Sequence, residues 1–250
     1  MKLKRGPRLS SYMAELLSQG RGVFSGTEAQ AALGISRGAF LDAAEKLQRS
    51  EKLACPRRDF YVIVPPQGAP SPASYIDALM KHEAHPYYVG LMSTASELHV
   101  VTTKRLPEIR IARTLIEFYY RKDMLAVASA VEQRATESGF MNVSSAELTA
   151  LDLMRYPNAG GGLDAIPKIL TELGARLDPD KLALLSGAFE RSVVQRLGYL
   201  LSKLDHADRV KSLHERLLAR APIPWVELQS SSLPPERNST WRVTVRSAQL

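Results

Sequence analysis

The sequence predicts an α+β protein in which a small domain of helices and a β-hairpin precedes a larger mixed domain. Three observations lead to this prediction. Residues 1–66 show three helical patterns and then two short β-rich runs. Four prolines follow within residues 64–74. Beyond them, strand-like runs rich in Val, Ile, Tyr and Phe give way to helical periodicity from Ser144 onward.

The first two helical patterns are short, and both end at a glycine. The run "LSSYMAELLSQG" repeats apolar residues at helical spacing and stops at Gly20. The run "SGTEAQAALG" offers Ser25 or Thr27 as its N-cap and Gly34 as its terminator. Both patterns therefore predict short helices that bury one apolar face.

The third helical pattern, "ISRGAFLDAAEKLQRSEKL", has an apolar side and a polar side. Ser36 is its predicted N-cap, and Phe40, Ala43 and Leu47 gather on the side expected to face the core. The strings "LACP" and "FYVIV" flank "RRD" and predict two strands joined at a basic tip. Three short helices followed by a β-ribbon are the sequential parts of a winged helix-turn-helix, whose third helix enters the major groove of DNA.

Most of the excess positive charge lies in this first segment. Residues 1–66 contain 11 Lys and Arg against 6 Asp and Glu, whereas residues 67–250 contain 22 against 20. A local basic field attracts polyanions, although a solvated surface has the same composition. We expect Arg37 to reach base edges and Arg57 and Arg58 to contact phosphates. The predicted DNA contacts are Lys4, Arg5, Arg8, Ser36, Arg37, Lys46, Arg49, Arg57 and Arg58.

The Pro-rich stretch predicts the domain organisation, because proline continues neither a helix nor a sheet ladder. The predicted boundaries are 1–66 for a DNA-binding domain, 67–74 for a linker and 75–250 for the second domain. In that domain the patterns predict helices over 74–83 and 87–99, strands over 99–103, 108–112 and 114–120, a hairpin over 130–144 with its turn at Ser138–Gly139, helices over 145–156, 162–174, 178–189, 191–204 and 207–220, and a final pair of strands within 222–245.

Metal and cysteine chemistry find little support in the sequence. Cys55 is the only cysteine, which excludes an internal disulfide and a thiolate zinc site within one chain. The five histidines His82, His85, His99, His206 and His214 show no third ligand at a recognisable spacing. We therefore expect no metal site and no cofactor.

No catalytic motif is recognisable either. Glu117 and Lys122 near a strand end lack a further carboxylate pair in register, and no G-x-S-x-G elbow occurs. The glycines of "NAGGGLDAI" predict a flexible turn into a helix with Asp164 in its first turn, because no phosphate-binding lysine follows them. The expected protein is not an enzyme. With no apolar run long enough to span a bilayer and no signal peptide, the cytoplasm is its expected location.

Three strings of the second part follow one another in a recognisable order. They are "HPYYVGLMSTASELH" (85–99), "NVSSAELTALDLMRYPNAGGGLDAI" (142–166) and "SVVQRLGYLLSKL" (192–204). Together they resemble the AbiEi antitoxin family of AbiE-type, type IV toxin–antitoxin systems, in which a winged helix precedes an α/β domain. The sequence departs from the family pattern at Ala146, where proline is usual. It departs again where the helix predicted at 87–99 runs almost directly into a strand.

The resemblance implies a repressor that binds the promoter of its own operon. It also implies opposition to a co-encoded nucleotidyltransferase-like toxin without a stable complex between the two proteins. Inverted repeats in double-stranded promoter DNA would receive two copies, so we expect a monomer or a DNA-induced dimer. Six residues of the motifs either join an internal polar network or line a second basic surface: Tyr87, Tyr88, Arg155, Asp164, Arg196 and Tyr199.

Two other functions fit the same sequence. One is a winged-helix transcriptional regulator whose second domain senses a ligand and has no toxin partner. The other is a nucleic-acid processing enzyme formed by residues 75–250 and delivered by the first domain. The missing nucleophile and metal-ligand pattern argues against the enzyme.

Overall fold

The computed structural model describes residues 8–66, 68–229 and 233–246. It contains both helices and sheets, which confirms the α+β class. The predicted boundaries at residues 66 and 74 stay a prediction. By proximity of their residues, the chain forms two compact units: the first comprises Met1–Val89, Ser93–Lys122 and Gln133–Asn142, and the second comprises Gly90–Met92, Asp123–Glu132 and Val143–Leu250.

Residues 8–63 form three helices and a small antiparallel sheet; the helices and the β-hairpin were predicted from the sequence, whereas the first strand was not. Ser25, rather than Thr27, caps the second helix by accepting a hydrogen bond from the Glu28 N–H, and Gly34 ends it in the left-handed conformation with φ 63°. The sheet has the order β1-β3-β2. The elements are α1 (Leu9–Ser18), β1 (Val23–Phe24), α2 (Gly26–Leu33), α3 (Arg37–Arg49), β2 (Leu53–Arg57) and β3 (Phe60–Ile63).

Four aromatic rings connect helices α1 and α3 to the sheet. Phe40 of α3 meets Tyr61 of β3 edge to face, with ring centroids 5.2 Å apart. Tyr61 stacks on Phe24 of β1 at 5.5 Å, and Phe24 meets Tyr12 of α1 edge to face at 5.7 Å. Such pairs add about 0.5–1.5 kcal/mol each beyond the area that they bury. Phe40 is fully buried as predicted, and Ala43 and Leu47 pack against the same core.

A six-stranded sheet lies mostly in the first unit, with strand order β6-β7-β5-β4-β9-β8. Strands β5 and β7 form a parallel pair, and β6 runs antiparallel to β7 at one edge of the sheet. The strand predicted at 114–120 is confirmed at those bounds, and the predicted hairpin turn lies between β8 and β9. The elements here are α4 (Ile76–Glu83), β4 (Tyr87–Gly90), β5 (Glu97–Thr102), β6 (Ile109–Ile111), β7 (Thr114–Tyr120), β8 (Val131–Thr136) and β9 (Gly139–Ser144).

The helix predicted over 87–99 is wrong, because this segment forms strand β4, a turn and the start of β5. Tyr87, Tyr88 and Val89 are all buried, and such aromatic and β-branched residues favour a strand buried on both faces. A short apolar run of this kind has no period that separates a buried strand from a buried helix. The tight connection that the sequence analysis noted after this helix therefore does not exist, since residues 97–99 already belong to β5.

The second unit contains five helices among its described residues and a small three-stranded sheet. That sheet has the order β10-β12-β11, so the predicted final pair of strands is in fact three. Leu148 and Leu151 of α5 and Val194 and Leu197 of α8 are buried in its core. The elements are α5 (Ala146–Arg155), α6 (Ile166–Gly174), α7 (Pro179–Leu185), α8 (Arg191–Lys203), α9 (Lys211–Leu218), β10 (Val226–Glu227), β11 (Glu236–Asn238) and β12 (Val243–Val245).

In the described ranges 8–66, 68–229 and 233–246, every helix is too short or too polar to span a bilayer.

Gly26 supports the packing of the first unit, and its replacement tests that packing. A Cβ atom at this position would lie 2.6 Å from Asp59 Oδ1 and 2.8 Å from the Phe40 ring. We expect Gly26→Ala to lower the free energy of unfolding by about 1–3 kcal/mol, because α2 or the hairpin must shift to accommodate the methyl group. Urea unfolding followed by circular dichroism measures this change.

Gly38→Ala is the matched control for that substitution. Gly38 lies in α3, and a Cβ atom there would meet nothing within 4 Å. We expect this variant to gain up to about 1 kcal/mol from helix propensity alone. Equal urea midpoints for the two variants would contradict the packing described for Gly26.

Candidate nucleic-acid interface

Helix α3 presents one polar face to solvent because its opposite face is buried. Phe40 and Ala44 lie in the core, whereas Arg37, Lys46 and Arg49 are exposed. The Ser36 hydroxyl accepts a hydrogen bond from the Ala39 N–H at 3.3 Å, so Ser36 acts as the predicted N-cap. The start of the helix is thus fixed where Arg37 projects from its first turn.

A cleft of about 410 Å³ joins the start of α3 to the tip of the β2–β3 hairpin. The structure therefore brings together Arg37 and Arg58, two of the cations that the sequence placed on separate elements. Neither guanidinium has an ion-pair partner among the described residues. Other residues that line the cleft are Thr27, Gln30, Phe40, Leu41, Cys55, Asp59 and Tyr61.

The hairpin tip is held in place by Asp59. Arg57 pairs with Phe60, so Arg58 and Asp59 form the two-residue turn, and Asp59 has a φ of 61°. Its carboxylate accepts a hydrogen bond from the Thr27 hydroxyl at 3.1 Å. Aspartate tolerates the left-handed conformation better than most residues, and its bond to α2 fixes the direction of the tip.

The groups on the floor of the cleft stay neutral near physiological pH. Burial, with a smaller contribution from the neighbouring Cys55, raises the pKa of Tyr61 to about 12. Burial likewise raises the pKa of the Cys55 thiol. The charge of the cleft therefore comes from its arginines and from Asp59.

The position of Arg57 corrects its predicted role as a phosphate contact. Its Nε lies 2.8 Å from Glu83 Oε1, and its guanidinium also donates to the carbonyl oxygens of Pro56 and Pro107 at 2.9 and 2.8 Å. The side chains of Arg57 and Glu83 are only 16% and 11% exposed. Strand alternation turns Arg57 inward while the following Arg58 lies in the exposed turn.

The other residues predicted to contact DNA differ in exposure and in ion pairing. Arg8 and Lys46 are exposed, whereas Arg49 forms an exposed ion pair with Glu45 at 2.6 Å. Lys4 and Arg5 lie outside the described residues. DNA contact by this set stays a prediction.

The first of the family-like strings contributes buried tyrosines to the six-stranded sheet. The Tyr87 hydroxyl donates to Asp77 Oδ1 at 3.1 Å, and burial raises its pKa. The Tyr88 hydroxyl accepts a hydrogen bond at 3.1 Å from the buried Arg121 Nε. Both residues therefore join internal polar contacts of the first unit.

Residues of the second string lie in the second unit. Arg155 pairs with Glu190 at 2.9 Å, and its guanidinium lies over the Phe189 ring. Asp164 is exposed and precedes α6, which begins at Ile166, so its predicted place in the first turn of that helix is wrong. The glycines before it allow this turn, since Gly161 has a φ of 79°.

The third string, on α8, binds the C-terminal segment of the chain. The Arg196 Nε donates to the Glu227 carbonyl at 2.8 Å, and burial lowers the Arg196 pKa. Tyr199 is buried. Sequence reasoning missed Gln195, whose buried side-chain amide donates to the carbonyl oxygens of Pro224 and Trp241 at 2.8 and 2.9 Å. Of the two alternatives left open for Arg155, Arg196 and the tyrosines, the internal network is the one observed.

Gly198 was also missed, although it stands in the middle of this string. A Cβ atom at Gly198 would lie 2.1 Å from the ring of Trp241, which packs directly on the helix. The Trp241 Nε1–H donates to Ser202 Oγ at 3.0 Å, one turn further along α8. A glycine inside a strongly helical pattern was the available indication of this close approach.

Strands β5 and β7 bring together three side chains that could hold a metal ion. They are Glu97, His99 and Glu117, whose ligand atoms lie within 4.8 Å of one another. His99 and Glu117 were noted separately from the sequence, and Glu97 was not noted. The spacing of Glu97 and His99, which puts both on one face of a strand, was the available indication.

The pair formed by Arg57 and Glu83 predicts a large effect on stability. We expect Arg57→Gln to lower the free energy of unfolding by up to about 3 kcal/mol, because the mostly buried Glu83 then keeps only the more distant Lys104, whose Nζ lies 3.8 Å from Glu83 Oε2. Arg49→Gln is the matched control, since its ion pair with Glu45 is exposed and contributes about 0.3–0.5 kcal/mol. Urea unfolding of the two variants measures the difference. A smaller effect for Arg57→Gln than for Arg49→Gln would contradict the structural role of Arg57.

Comparison with known proteins identifies the second of the two predicted domains. The family model of the AbiEi antitoxin C-terminal domain matches residues 88–203. Among solved structures, the RV2827C protein from Mycobacterium tuberculosis is similar in fold, with a TM-score of 0.68 and 14% sequence identity over 96% of this chain and 93% of that chain. No curated protein matches the sequence. The family resemblance carried by the three strings is thereby confirmed for residues 88–203.

Proposed function

We propose that this protein is an antitoxin that binds the promoter of its own operon through the predicted DNA-binding domain, residues 1–66, and represses transcription there. In this proposal the three helices and the sheet β1-β3-β2 act as a winged helix-turn-helix, with α3 in the major groove and the β2–β3 hairpin as the wing. The element order helix, strand, helix, helix, strand, strand supports this role. So does the amphipathic character of α3, which buries Phe40 and exposes Arg37.

The observation that carries the proposal is the shared cleft of Arg37 and Arg58. An arginine in the first turn of a recognition helix can bind guanine with two hydrogen bonds, which is worth about 1–3 kcal/mol of discrimination. An arginine at a wing tip is suited to phosphate, which adds affinity without sequence choice. Two unpaired guanidiniums on one open surface therefore combine base reading with backbone positioning.

The proposal extends to the toxin. The match of residues 88–203 to the family model supports an antitoxin role, and we propose that the protein opposes a co-encoded nucleotidyltransferase-like toxin in the cytoplasm without forming a stable complex with it. Promoter sites in inverted repeat would receive two copies, so that a monomer in solution becomes a dimer on DNA.

Substitution of the two arginines tests the DNA interface. We expect Arg58→Gln to weaken binding to the upstream DNA broadly and to reduce the slope of log affinity against log salt by about one unit, because one phosphate contact is lost. We expect Arg37→Gln to weaken specific binding by about 1–3 kcal/mol and to affect unrelated DNA much less. Fluorescence anisotropy with both DNA fragments over a salt series measures these changes.

Arg49→Gln and Arg57→Gln are the controls for this experiment. The first removes a charge that is already paired on the same helix, and the second removes a mostly buried charge that is paired with Glu83. At temperatures where all variants are folded, we expect both to keep the salt slope of the unaltered protein. An unchanged slope after Arg58→Gln, or a loss of affinity with Arg57→Gln equal to that with Arg58→Gln, would refute the assignment of the wing.

Growth rescue tests the antitoxin activity separately from repression. The neighbouring nucleotidyltransferase gene would be expressed from an independent promoter, so that repression of the native operon does not affect toxin levels. We expect the full chain and its Arg37→Gln, Arg58→Gln double variant to restore growth equally well, because neutralisation in this proposal does not need promoter binding. Plate counts and growth curves are the measurement.

Two outcomes would contradict this part of the proposal. The first is failure of the full chain to restore growth, which favours a ligand-sensing regulator without a toxin partner. The second is stable co-purification of the two proteins at stoichiometric amounts. Catalytically inactive toxin, expressed at the same level, is the control for toxicity unrelated to its activity.

A further inference from the structure

We propose that Glu97, His99 and Glu117 form a binding site for a divalent transition-metal ion of the Zn²⁺ type. The three side chains offer two carboxylate oxygens and one imidazole nitrogen, and these atoms lie within 4.8 Å of one another. The site belongs to the six-stranded sheet and shares no residue with the DNA surface or with its cleft.

The register of the sheet brings the ligands together. His99 of β5 lies opposite Glu117 of β7 in the parallel pair, and Glu97 lies two residues before His99. Side chains two apart on a strand point to the same face, and paired residues of neighbouring strands do so as well. Both carboxylates and the imidazole therefore project from one face, across a spacing fixed by backbone hydrogen bonds.

The distances suit a metal ion at the centre of the three groups. His99 Nε2 lies 3.1 Å from Glu97 Oε1 and 3.7 Å from Glu117 Oε2. Zinc binds nitrogen and carboxylate oxygen at about 2.0–2.2 Å, so that neighbouring ligands around a tetrahedral ion are separated by about 3.3–3.6 Å. Only small movements of the glutamate side chains would place all three ligands around one ion.

His99 distinguishes this group from a cluster of surface acids. Its side chain is 5% exposed, and it directs Nε2 at both carboxylates. The other ring nitrogen, Nδ1, is buried without a hydrogen-bond partner in the described part of the chain. Nε2 is therefore the ring nitrogen that would bind an ion between the carboxylates, and the neutral imidazole would then carry its proton on Nδ1.

The charges around the site favour a dication. Two carboxylates facing one imidazole leave a local excess of negative charge. Arg110 on the adjacent strand β6 attracts these carboxylates and compensates part of their charge. Its guanidinium is, however, hydrogen-bonded to Glu108 at 2.8 and 3.3 Å. A bound divalent ion would neutralise the remaining charge.

Tyr119 orients the proposed ligands. Its hydroxyl donates to Glu117 Oε2 at 2.8 Å, and its ring meets the His99 ring edge-on at 5.4 Å between centroids. Metal-binding carboxylates commonly accept such a hydrogen bond from a supporting residue.

The donor set selects the class of ion. One imidazole with two carboxylates suits Zn²⁺ or Mn²⁺, whereas Mg²⁺ prefers oxygen ligands alone and releases its water reluctantly. Three protein ligands leave at least one coordination position for water or a further ligand. Glu97 and Glu117 are 45% and 36% exposed, so an ion can reach the site from solvent.

Calorimetric titration of the full chain with Zn²⁺ after treatment with a chelator tests the proposal. We expect saturable binding of one ion per chain. Glu97→Gln and Glu117→Gln each remove a charged ligand from an exposed position, so they should fold normally, and we expect each to weaken binding more than Tyr119→Phe, which should cost about tenfold. Glu137→Gln is the matched control, because it removes the same charge from an exposed turn of the same sheet.

Cobalt(II) provides a second readout that a merely structural role would not give. We expect Co²⁺ to develop visible absorption bands with the full chain, and we expect Glu117→Gln to change or abolish them while Glu137→Gln leaves them unaltered. Absence of saturable Zn²⁺ binding would overturn the proposal. Equal Zn²⁺ affinity in Glu97→Gln, Glu117→Gln and Glu137→Gln would overturn it as well, because binding would then come from another part of the chain.

Discussion

The edge-to-face contact of Phe40 with Tyr61 determines how α3 lies on the N-terminal sheet, and the proposed DNA surface depends on it. Phe40 is the large apolar side chain that is fully buried on α3, so it sets which face of the helix is turned away from solvent. The same Tyr61 stacks on Phe24, which links α3 through two strands to α1. Arg37 therefore projects beside the hairpin because the aromatic rings fix the rotation of the helix about its axis.

Formal charge overstates the cationic field that this surface can present. Arg57 and Arg58 are neighbours in sequence, but one binds Glu83 inside the first unit and the other lies in an exposed turn. Arg49 is exposed but already paired, so its attraction for a phosphate competes with Glu45. The affinity for a polyanion depends on the number of cationic side chains that can displace its counterions. That number is smaller than the number of basic residues in the segment.

Local sequence patterns predicted the first helices well, but they could not predict which strands pair with each other. Caps at Ser25 and Ser36 and the burial of Phe40 follow from short-range rules of helix chemistry. The apolar run at 87–99 failed because a strand buried on both faces has no helical or alternating period to read. Glu97, His99 and Glu117 were not recognised as a group, since β5 and β7 are parallel neighbours with β6 between them in sequence. Only the register of that pair shows that His99 faces Glu117.

The residues that carry the family resemblance mostly form contacts within the fold. Gln195, Arg196 and Gly198 of α8 hold the C-terminal segment by hydrogen bonds to carbonyl oxygens and by close contact with Trp241. Tyr87 and Tyr88 likewise form hydrogen bonds within the first unit. Motifs of this kind report that the chain folds as the family does, because their side chains are largely hidden from any partner. In the proposed function, opposition to a toxin would therefore depend on exposed side chains outside these buried positions.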